Sequence, residues 1–344
     1  MTMITKVRAA GASELINQLG RLLSLSPQKD CQRTSLQIPP RYGQGRVFSY
    51  QISPGMDAII FEVELKNDWC IEMEGDFAPP INFYALSAGT FVYTDKRYDE
   101  TSFIMEPLQS AIQAIDRQAV FQWQFPANQA ILFSCIMVHK EAFFAEVDCD
   151  TLQIPANLLD VAKDLSGEEK FFYGDIYHLP IINALNDVAQ QEELGLINST
   201  FAAAKIYEIT TLLLEVYKSS STNENSIVLK PDAALVNIRN AEEILSSRLQ
   251  DPPTIKELSK MVGINQQTLK RGFKQLYGET INRYLNDKRL EQAGILIKAG
   301  EMKLQDIALE VGYSNPSHFT RRFKERFGVS PRTYRQQSNT KVKP

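Results

Sequence analysis

The sequence predicts an α+β chain with an N-terminal β-barrel domain and an all-α C-terminal domain that holds two helix–turn–helix units. Three observations predict this architecture: short alternating strands over residues 46–138, a weak internal repeat over residues 254–328, and a change of charge between the two parts. At 344 residues the chain is long enough for two or three domains, each with its own core.

The strand prediction rests on the alternation of apolar and polar side chains. Residues 46–53 alternate in this way, and after a turn at Pro54 and Gly55 residues 56–64 form a run rich in Ile, Phe and Val. Many short strands separated by turns are typical of a β-barrel or a jelly roll. The pattern continues in four shorter segments, 83–86, 91–94, 119–125 and 131–138.

Helical spacing replaces strand alternation at about residue 155. Thr200 is a candidate N-cap for a helix that reaches Tyr217, whose apolar face suits either dimerisation or packing on the barrel. The polar, Ser-rich stretch at 218–225 predicts a linker. The chain then divides into an effector domain at 1–165, a helical dimerisation or packing segment at 166–218, a linker at 219–231 and an α-helical domain at 232–337.

The C-terminal domain contains two similar segments, residues 254–278 and 303–328. In each, a short helix is followed by a glycine that can turn the chain at positive φ, then by an asparagine suited to an N-cap, then by a second helix. Helix, glycine turn and helix together are the pattern of a helix–turn–helix. The corresponding turn and cap residues are Gly263 and Asn265 in the first copy, and Gly312, Asn315 and Pro316 in the second.

The second helix of each copy has a polar and basic outer face. Such side chains can hydrogen-bond to base edges in a DNA major groove, and surplus Lys and Arg suit phosphates. For either face taken alone, the alternative is an ordinary exposed amphipathic helix. The outer-face residues are Gln266, Gln267, Lys270, Arg271 and Lys274 in the first copy, and Ser317, His318, Arg321, Arg322 and Lys324 in the second.

Charge favours DNA for the two faces together. Residues 251–344 hold 18 Lys and Arg against 9 Asp and Glu, a net charge of +9, whereas the rest of the chain carries −13. A basic segment attached to an acidic domain is typical of a polyanion-binding part. Residues 279–299 also predict one helix of about 20 residues, about 30 Å long. Because successive major grooves on one face of DNA are ~34 Å apart, one chain can read two half-sites.

Residues 255–335 resemble the AraC/XylS family of bacterial regulators. The resemblance is carried by RLEQA at 289–293, VGY at 311–313, and GVSP at 328–331. It implies base contacts from Gln267, Lys270 and Arg271 in the first unit and from Ser317, His318 and Arg321 in the second. The polar residues predicted to contact phosphates are Gln266, Lys274, Asn315, Arg322 and Lys324. Gly272 departs from a good recognition helix, because glycine disfavours a helix interior.

A narrower resemblance is to the branch of the family that contains the pyochelin-responsive regulator. It is carried by LKRGF at 269–273, by Tyr277 and Gly278, and by residues 203–214 of the helix before the linker. This branch implies a ferric siderophore as the effector. The family as a whole implies a cupin-like fold for the N-terminal domain.

In a cupin-like barrel the sequence predicts a ligand pocket and no metal or other cofactor, since only His139 and His178 lie outside the DNA-binding domain. For each candidate below, the alternative is core packing for an aromatic residue and a plain surface charge for an arginine. The candidate effector-binding residues are Trp69, Phe91, Tyr93, Phe121 and Trp123, together with Arg46, Arg97 and Arg117. The four scattered cysteines, Cys31, Cys70, Cys135 and Cys149, are expected to be reduced and buried.

These features predict a ligand-responsive transcription regulator, an activator, that inserts two recognition helices into successive major grooves. The expected partners are double-stranded DNA, a small-molecule effector, RNA polymerase and, as an open alternative, a second copy of the chain. No membrane segment is expected, and the expected location is the cytoplasm. Two other functions stay open: a ligand-independent architectural DNA binder, and a cupin enzyme with a DNA-binding tail. An enzyme is not predicted, because no nucleophile–base constellation is apparent.

Overall fold

The computed structural model describes residues 2–9, 11–74, 79–97, 100–146, 155–191, 193, 195–221, 233–300 and 302–340. These residues form two compact units, Met1–Val228 and Leu229–Pro344. The predicted linker at 219–231 lies largely outside the described residues. No helix in the described part of the chain is long and apolar enough to cross a bilayer.

The described residues of the N-terminal unit form all six predicted strands, along with seven further strands and five helices. Its elements, numbered in chain order, are β1 Met3–Val7, α1 Ala12–Leu23, β2 Gln28–Asp30, β3 Arg33–Gln37, β4 Gly43–Ser53, β5 Met56–Leu65, β6 Trp69–Glu74, β7 Ile81–Ala88, β8 Phe91–Asp95, β9 Glu100–Met105, β10 Gln109–Ala114, β11 Val120–Phe125, β12 Ala130–Val138, α2 Lys140–Glu146, α3 Ala156–Lys163, β13 Phe171–Tyr177, α4 Leu179–Ala189 and α5 Leu196–Ser221.

The predicted cupin-like barrel is not closed. The strands form two separate sheets, one of five strands in the order β1-β6-β11-β8-β9 and one of eight in the order β13-β10-β7-β12-β5-β4-β3-β2. Each sheet therefore keeps two edge strands, whereas a closed barrel has none.

Two hydrophobic cores explain why the strands of the large sheet are buried on both faces. Val47, Phe61 and Phe133 face the five-stranded sheet and α1 in one cluster. Phe48 and Ile136, which point the other way because strand side chains alternate, pack in a second cluster with residues of α3, α4 and α5. A sheet covered on both sides carries near-continuous apolar runs, as β5 and β12 do.

The segment predicted as helical at 155–217 differs from the prediction in two details. Residues 171–177 form β13, which pairs antiparallel with β10. Helix α5 begins at Leu196, four residues before the predicted cap. The Thr200 hydroxyl instead donates to the carbonyl oxygen of Leu196 (2.9 Å), so Thr200 lies inside the helix and is not its cap.

The C-terminal unit is described as seven helices. They are α6 Ala233–Ser247, α7 Ile255–Met261, α8 Gln266–Tyr277, α9 Ile281–Ala299, α10 Leu304–Glu310, α11 Pro316–Phe327 and α12 Pro331–Thr340. Helices α7 and α8 form the first predicted helix–turn–helix unit, and α10 and α11 form the second. Helix α9 contacts the helices of both units.

Candidate nucleic-acid interface

The first helix–turn–helix unit is ordered by local capping. The Thr254 hydroxyl accepts a hydrogen bond from the Glu257 amide (3.3 Å), and the Glu257 carboxylate accepts one from the Thr254 amide (2.8 Å). This reciprocal capping box satisfies two amide groups at the start of α7. Gly263 then turns the chain at φ +71°, and the Asn265 side chain caps α8 by accepting from Thr268 (2.8 Å).

The second unit repeats this construction with different residues. Gly312 turns the chain at φ +85°. The Asn315 carboxamide oxygen accepts from the amides of Ser317 (2.9 Å) and His318 (3.2 Å), and Pro316 is the first residue of α11. The predicted turn glycines, asparagine caps and first-turn proline are therefore confirmed.

Packing decides which face of each recognition helix remains in solvent. Leu269, Phe273 and Leu276 of α8 are buried, and so are Phe319 and Phe323 of α11. With these residues inside, the polar residues between them point outward at helical spacing. Helix α8 runs without a break through the buried Gly272.

The predicted DNA-contacting residues lie on these two outer faces. Arg271 and Arg322 are half-buried, and the other nine are exposed. The nine are Gln266, Gln267, Lys270, Lys274, Asn315, Ser317, His318, Arg321 and Lys324.

The three central side chains of α11 differ in how firmly they are held. Arg322 forms an ion pair with Glu325 at 2.8 Å, whereas Arg321 lies 3.9 Å from the same carboxylate and is 68% exposed. The His318 ring lies 5.7 Å from the ring of Tyr313. Arg321 therefore has more freedom to reach into a DNA groove. Arg322 is better placed to contact the DNA phosphates.

Helix α9 confirms the predicted connecting helix. Its 19 residues correspond to a length of about 29 Å at 1.5 Å per residue. Near its start, the Tyr284 ring lies 5.3 Å from the ring of Phe273 of α8, and the Tyr284 hydroxyl donates to Glu242 of α6 (2.6 Å). In its C-terminal half, Leu290, Ala293 and Ile297 join the core of the second unit. One helix therefore packs into both units.

Two arginines near the second unit were not singled out from the sequence. Arg332, in the first turn of α12, lines a groove of about 260 Å³ together with Pro316 and Thr320 of α11. Arg289 of α9 donates to the Leu249 carbonyl oxygen (2.8 Å). The sequence signals for them were the GVSP motif, which directly precedes Arg332, and the RLEQA motif, which begins at Arg289. Neither motif states what the side chain contacts.

The five aromatic effector candidates lie together in the core between the two sheets. Ring centroids are 4.9 Å apart for Tyr93 and Phe103, and 5.5 Å apart for Tyr93 and Phe121. Two of their hydrogen-bonding groups, the Tyr93 hydroxyl and the Trp123 indole N–H, are buried and make no hydrogen bond of good geometry among the described residues, although Gln113 lies near the first and Tyr84 near the second. The nearby Gln113 carboxamide oxygen already accepts from Tyr84 (2.8 Å).

Two of the arginine candidates, Arg46 and Arg97, already pair with carboxylates. Arg46 pairs with Glu62 (2.7 Å), donates to the Ala189 carbonyl oxygen (2.6 Å) and lies over the ring of Phe48 on the helix-covered face of the large sheet. Arg97 pairs with Asp95 (2.6 Å) and Asp116 (2.7 Å). These carboxylates occupy the guanidinium groups that an anionic ligand would need.

The described residues include three of the four cysteines. Cys70 and Cys135 are free and buried as expected, but Cys31 is exposed; Cys149 lies outside the described residues. Over the same residues, no three or more His, Cys, Asp or Glu side chains are grouped so that they could hold a metal ion.

The geometry of the C-terminal unit agrees with its similarity to known proteins. The family model "Helix-turn-helix domain" matches residues 258–337. The HTH-type transcriptional activator RhaS of Escherichia coli O1:K1 / APEC is 33% identical over 147 residues, which is 43% of this chain and 50% of RhaS. The chain thus spans about half the length of the curated relatives it matches.

Solved structures of regulators are also similar. A transcriptional regulator with an AraC-type DNA-binding domain from Chromobacterium violaceum is 25% identical over 30% of this chain and 92% of that chain, with a TM-score of 0.29. The DNA-binding domain of AdpA, solved with a target DNA, is 20% identical over 31% of this chain and 96% of that chain, with a TM-score of 0.30. ToxT of Vibrio cholerae is 14% identical over 82% of this chain and 98% of that chain, with a TM-score of 0.28. The family model thus matches residues 258–337, the part of the chain that holds both predicted helix–turn–helix units except the start of α7.

Proposed function

We propose that this protein is a DNA-binding transcription regulator, and an activator, that places α8 and α11 in successive major grooves. One observation carries the proposal. The same structural unit occurs twice, and each time an asparagine-capped helix buries its apolar side and exposes a polar, basic side. Side chains of this kind on a helix that follows a tight turn can reach base edges.

Within each face we propose a division between base-reading and backbone-contacting residues. Gln267, Lys270 and Arg271 of α8 read bases in one half-site, and Ser317, His318 and Arg321 of α11 read bases in the other. The residues proposed to contact phosphates are Gln266, Lys274, Asn315, Arg322 and Lys324. For Asn315 this contact uses its side-chain NH2 group, because its oxygen caps α11.

The division is tested by comparing Arg321→Ala with Lys274→Ala. Truncating a base-reading arginine costs about 1–3 kcal/mol on the specific site and relaxes sequence preference at its position. Truncating a phosphate contact weakens all sequences alike and reduces the salt slope by about 1. Fluorescence anisotropy with a selected DNA site and a scrambled duplex, at several salt concentrations, measures both effects.

The outcomes separate the regulator from an architectural binder. Equal losses on specific and scrambled DNA for Arg321→Ala would refute its base-reading role. A wild-type protein that binds every duplex with the same affinity and a steep salt dependence would favour an architectural binder. The RhaS relative that matches this chain is a transcriptional activator, which supports the regulator.

We further propose that the N-terminal unit binds a small-molecule effector and shifts the chain between DNA-competent and idle states, which requires unequal affinity for the two. The Tyr93 hydroxyl and the Trp123 indole support a pocket at the aromatic cluster, because they are buried donors without a well-formed hydrogen bond and suit an acceptor group of a ligand. Burial raises the pKa of Tyr93, so its hydroxyl stays protonated and able to donate.

A ferric siderophore is the first effector to test, on the strength of the narrower resemblance alone. The purified protein is mixed with genomic DNA fragments at physiological salt, with and without ferric siderophore. Fragments enriched only with the siderophore support both regulator and effector. Equal enrichment with and without the siderophore supports the regulator and rules out this effector. If no fragment is enriched in either arm, the result contradicts the proposal for these conditions.

Two protein partners belong to the same proposal. An activator acts through RNA polymerase, and we propose polymerase as the partner of the DNA-bound protein. We also propose a homodimer through α5, because Leu196 and Ile197 at its start are 73% and 84% exposed and Tyr207 is 44% exposed. Exposed apolar side chains along one helix are suited to a second copy of the same helix.

A further inference from the structure

Three separate segments of the C-terminal unit meet at Arg289, which lies in the middle of α9. The Arg289 Nε atom donates to the Leu249 carbonyl oxygen (2.8 Å) and Nη2 donates to that of Gln250 (3.4 Å), just beyond the end of α6. On its other side, the guanidinium lies 5.9 Å from the ring centre of Tyr313, which follows the turn glycine of the second unit. We call Arg289, Leu249, Gln250, Gly312 and Tyr313 the Arg289 junction.

The two turn glycines have different surroundings, and the difference shows how tight the junction is. A Cβ atom added at Gly312 would lie 2.5 Å from Arg289 Nη2 and 2.7 Å from the Leu249 carbonyl oxygen. A Cβ atom added at Gly263 would meet nothing within 4 Å. The chain that follows α6 therefore touches the turn of the second unit directly, besides the connection through α9.

The chemistry of the junction requires an arginine. Its planar guanidinium carries several N–H donors in a fixed arrangement, so it can bond two carbonyl oxygens and stack on a ring at once. A lysine has one donor centre and no planar surface. The Arg289 side chain is half-buried, and this burial lowers its pKa.

We propose that Arg289 is a positioning residue that holds the two helix–turn–helix units at a fixed angle and thereby sets the half-site spacing that the domain accepts. The proposal rests on the proposed DNA-binding function. One extra base pair between half-sites moves the second by 3.4 Å along the duplex and turns it by about 34°. A reader with two rigidly held helices loses contacts at one half-site, whereas a flexible reader adapts.

The DNA test uses sites selected from a random duplex library by the wild-type full-length protein. Affinity is measured for the selected spacing, for the same site with one base pair inserted, and for each half-site alone. The variants are Arg289→Met and Arg289→Lys. The matched control is Lys288→Met, which removes one positive charge from the neighbouring position of α9.

We expect the insertion to weaken the wild type and Lys288→Met by about tenfold, equivalent to about 1.4 kcal/mol. Arg289→Met should bind both spacings with similar affinity while its single half-site affinities stay at the wild-type level. The proposal is overturned if Arg289→Met keeps the wild-type discrimination. It is also overturned if single half-site binding falls as much as two-site binding, since that indicates a general structural role.

A second measurement needs no DNA, so it separates this proposal from the proposed function. Spin labels on non-canonical residues at Lys274 and Lys324, corresponding positions of α8 and α11, report the distance between the helices by pulsed electron resonance. We expect a narrow distribution for the wild type and a broad one for Arg289→Met. Equal distributions overturn the junction's role. If the wild type selects no DNA sequence, the proposed function fails while this measurement still decides the role of Arg289.

The turn glycines provide a matched pair for the same measurement. Gly312→Ala and Gly263→Ala introduce the same backbone strain, because both residues have positive φ. Only Gly312→Ala also pushes against Arg289 and Leu249. We expect it to shift or broaden the distance distribution while Gly263→Ala leaves it close to the wild type, and equal effects from the pair contradict the proposal.

Discussion

Replacing Phe323 by alanine is expected to lower the free energy of unfolding of the C-terminal unit by about 3–5 kcal/mol, the usual cost of truncating a buried phenylalanine. Phe323 is completely buried. Its ring lies 4.4 Å from that of Phe327, 5.4 Å from that of Tyr334 and 5.6 Å from that of Phe319. This loss is a large part of the stability of an ordinary domain. We therefore expect α11 to lose the packing that holds it in place.

Unfolding of the N-terminal unit and of the C-terminal unit can be followed separately in the full-length chain. Both tryptophans, Trp69 and Trp123, lie in the N-terminal unit, so urea unfolding followed by tryptophan fluorescence reports that unit. Far-ultraviolet circular dichroism reports the helices of both units, so the part of its transition that tryptophan fluorescence does not share belongs to the C-terminal unit. The Phe323→Ala variant should move the helical transition to lower urea, and Leu309→Ala, at an apolar residue that is 54% exposed, should leave it in place. A Phe323→Ala variant as stable as Leu309→Ala would show that α11 is not anchored through this ring.

The N-terminal unit is expected to lose about 2 kcal/mol of stability between pH 7 and pH 5 through His178. Burial lowers the pKa of His178 to about 4, and its Nδ1 atom is buried without a hydrogen-bond partner among the described residues. The unfolded chain binds the proton near pH 6.5, so stability is complete above that pH. It is lost as the pH falls towards 4, because protonation then favours the unfolded state.

The measurement is urea unfolding followed by tryptophan fluorescence at pH 7, 6 and 5. His178→Leu removes the ionisable group and should flatten the pH dependence, whatever its effect on stability at pH 7. His318→Gln is the matched control, because His318 is exposed and lies in the other unit. The lowest pH measured, pH 5, lies above the range in which most carboxylates become protonated, so these groups contribute little to the change. An equally steep pH dependence in His178→Leu and in the wild type would rule His178 out as the source.

Features set by a few neighbouring residues were predictable from the sequence. Asn265, Asn315 and Pro316 occupy their predicted positions because capping depends on contacts three residues apart. Six strands were predicted for the same reason, since alternation along one segment records which side chains are buried. Strand β10 was missed because its Gln109 and Gln113 look exposed. Both are buried, and they bond to the Tyr177 and Tyr84 hydroxyls.

The partition of strands between sheets was not predictable from local pattern. Strand β1 pairs in parallel with β6, and Met3 lies opposite Trp69. Such pairings join segments that are far apart in the chain, and no spacing of apolar residues encodes them. The strands therefore form two sheets where a closed barrel was expected. For the same reason, the carboxylate partners of Arg46 and Arg97 could not be predicted from the sequence.

By itself the sequence determined the two helix–turn–helix units, their caps, their core residues and the polar faces that point to DNA. It could do so because each cap joins residues two or three positions apart, and the apolar spacing along each helix marks its buried face. Only the tertiary structure shows how the two helix–turn–helix units are held together. Arg289 meets Leu249 and Gly312, from segments separated by tens of residues, and only the folded chain brings three such segments within bonding distance.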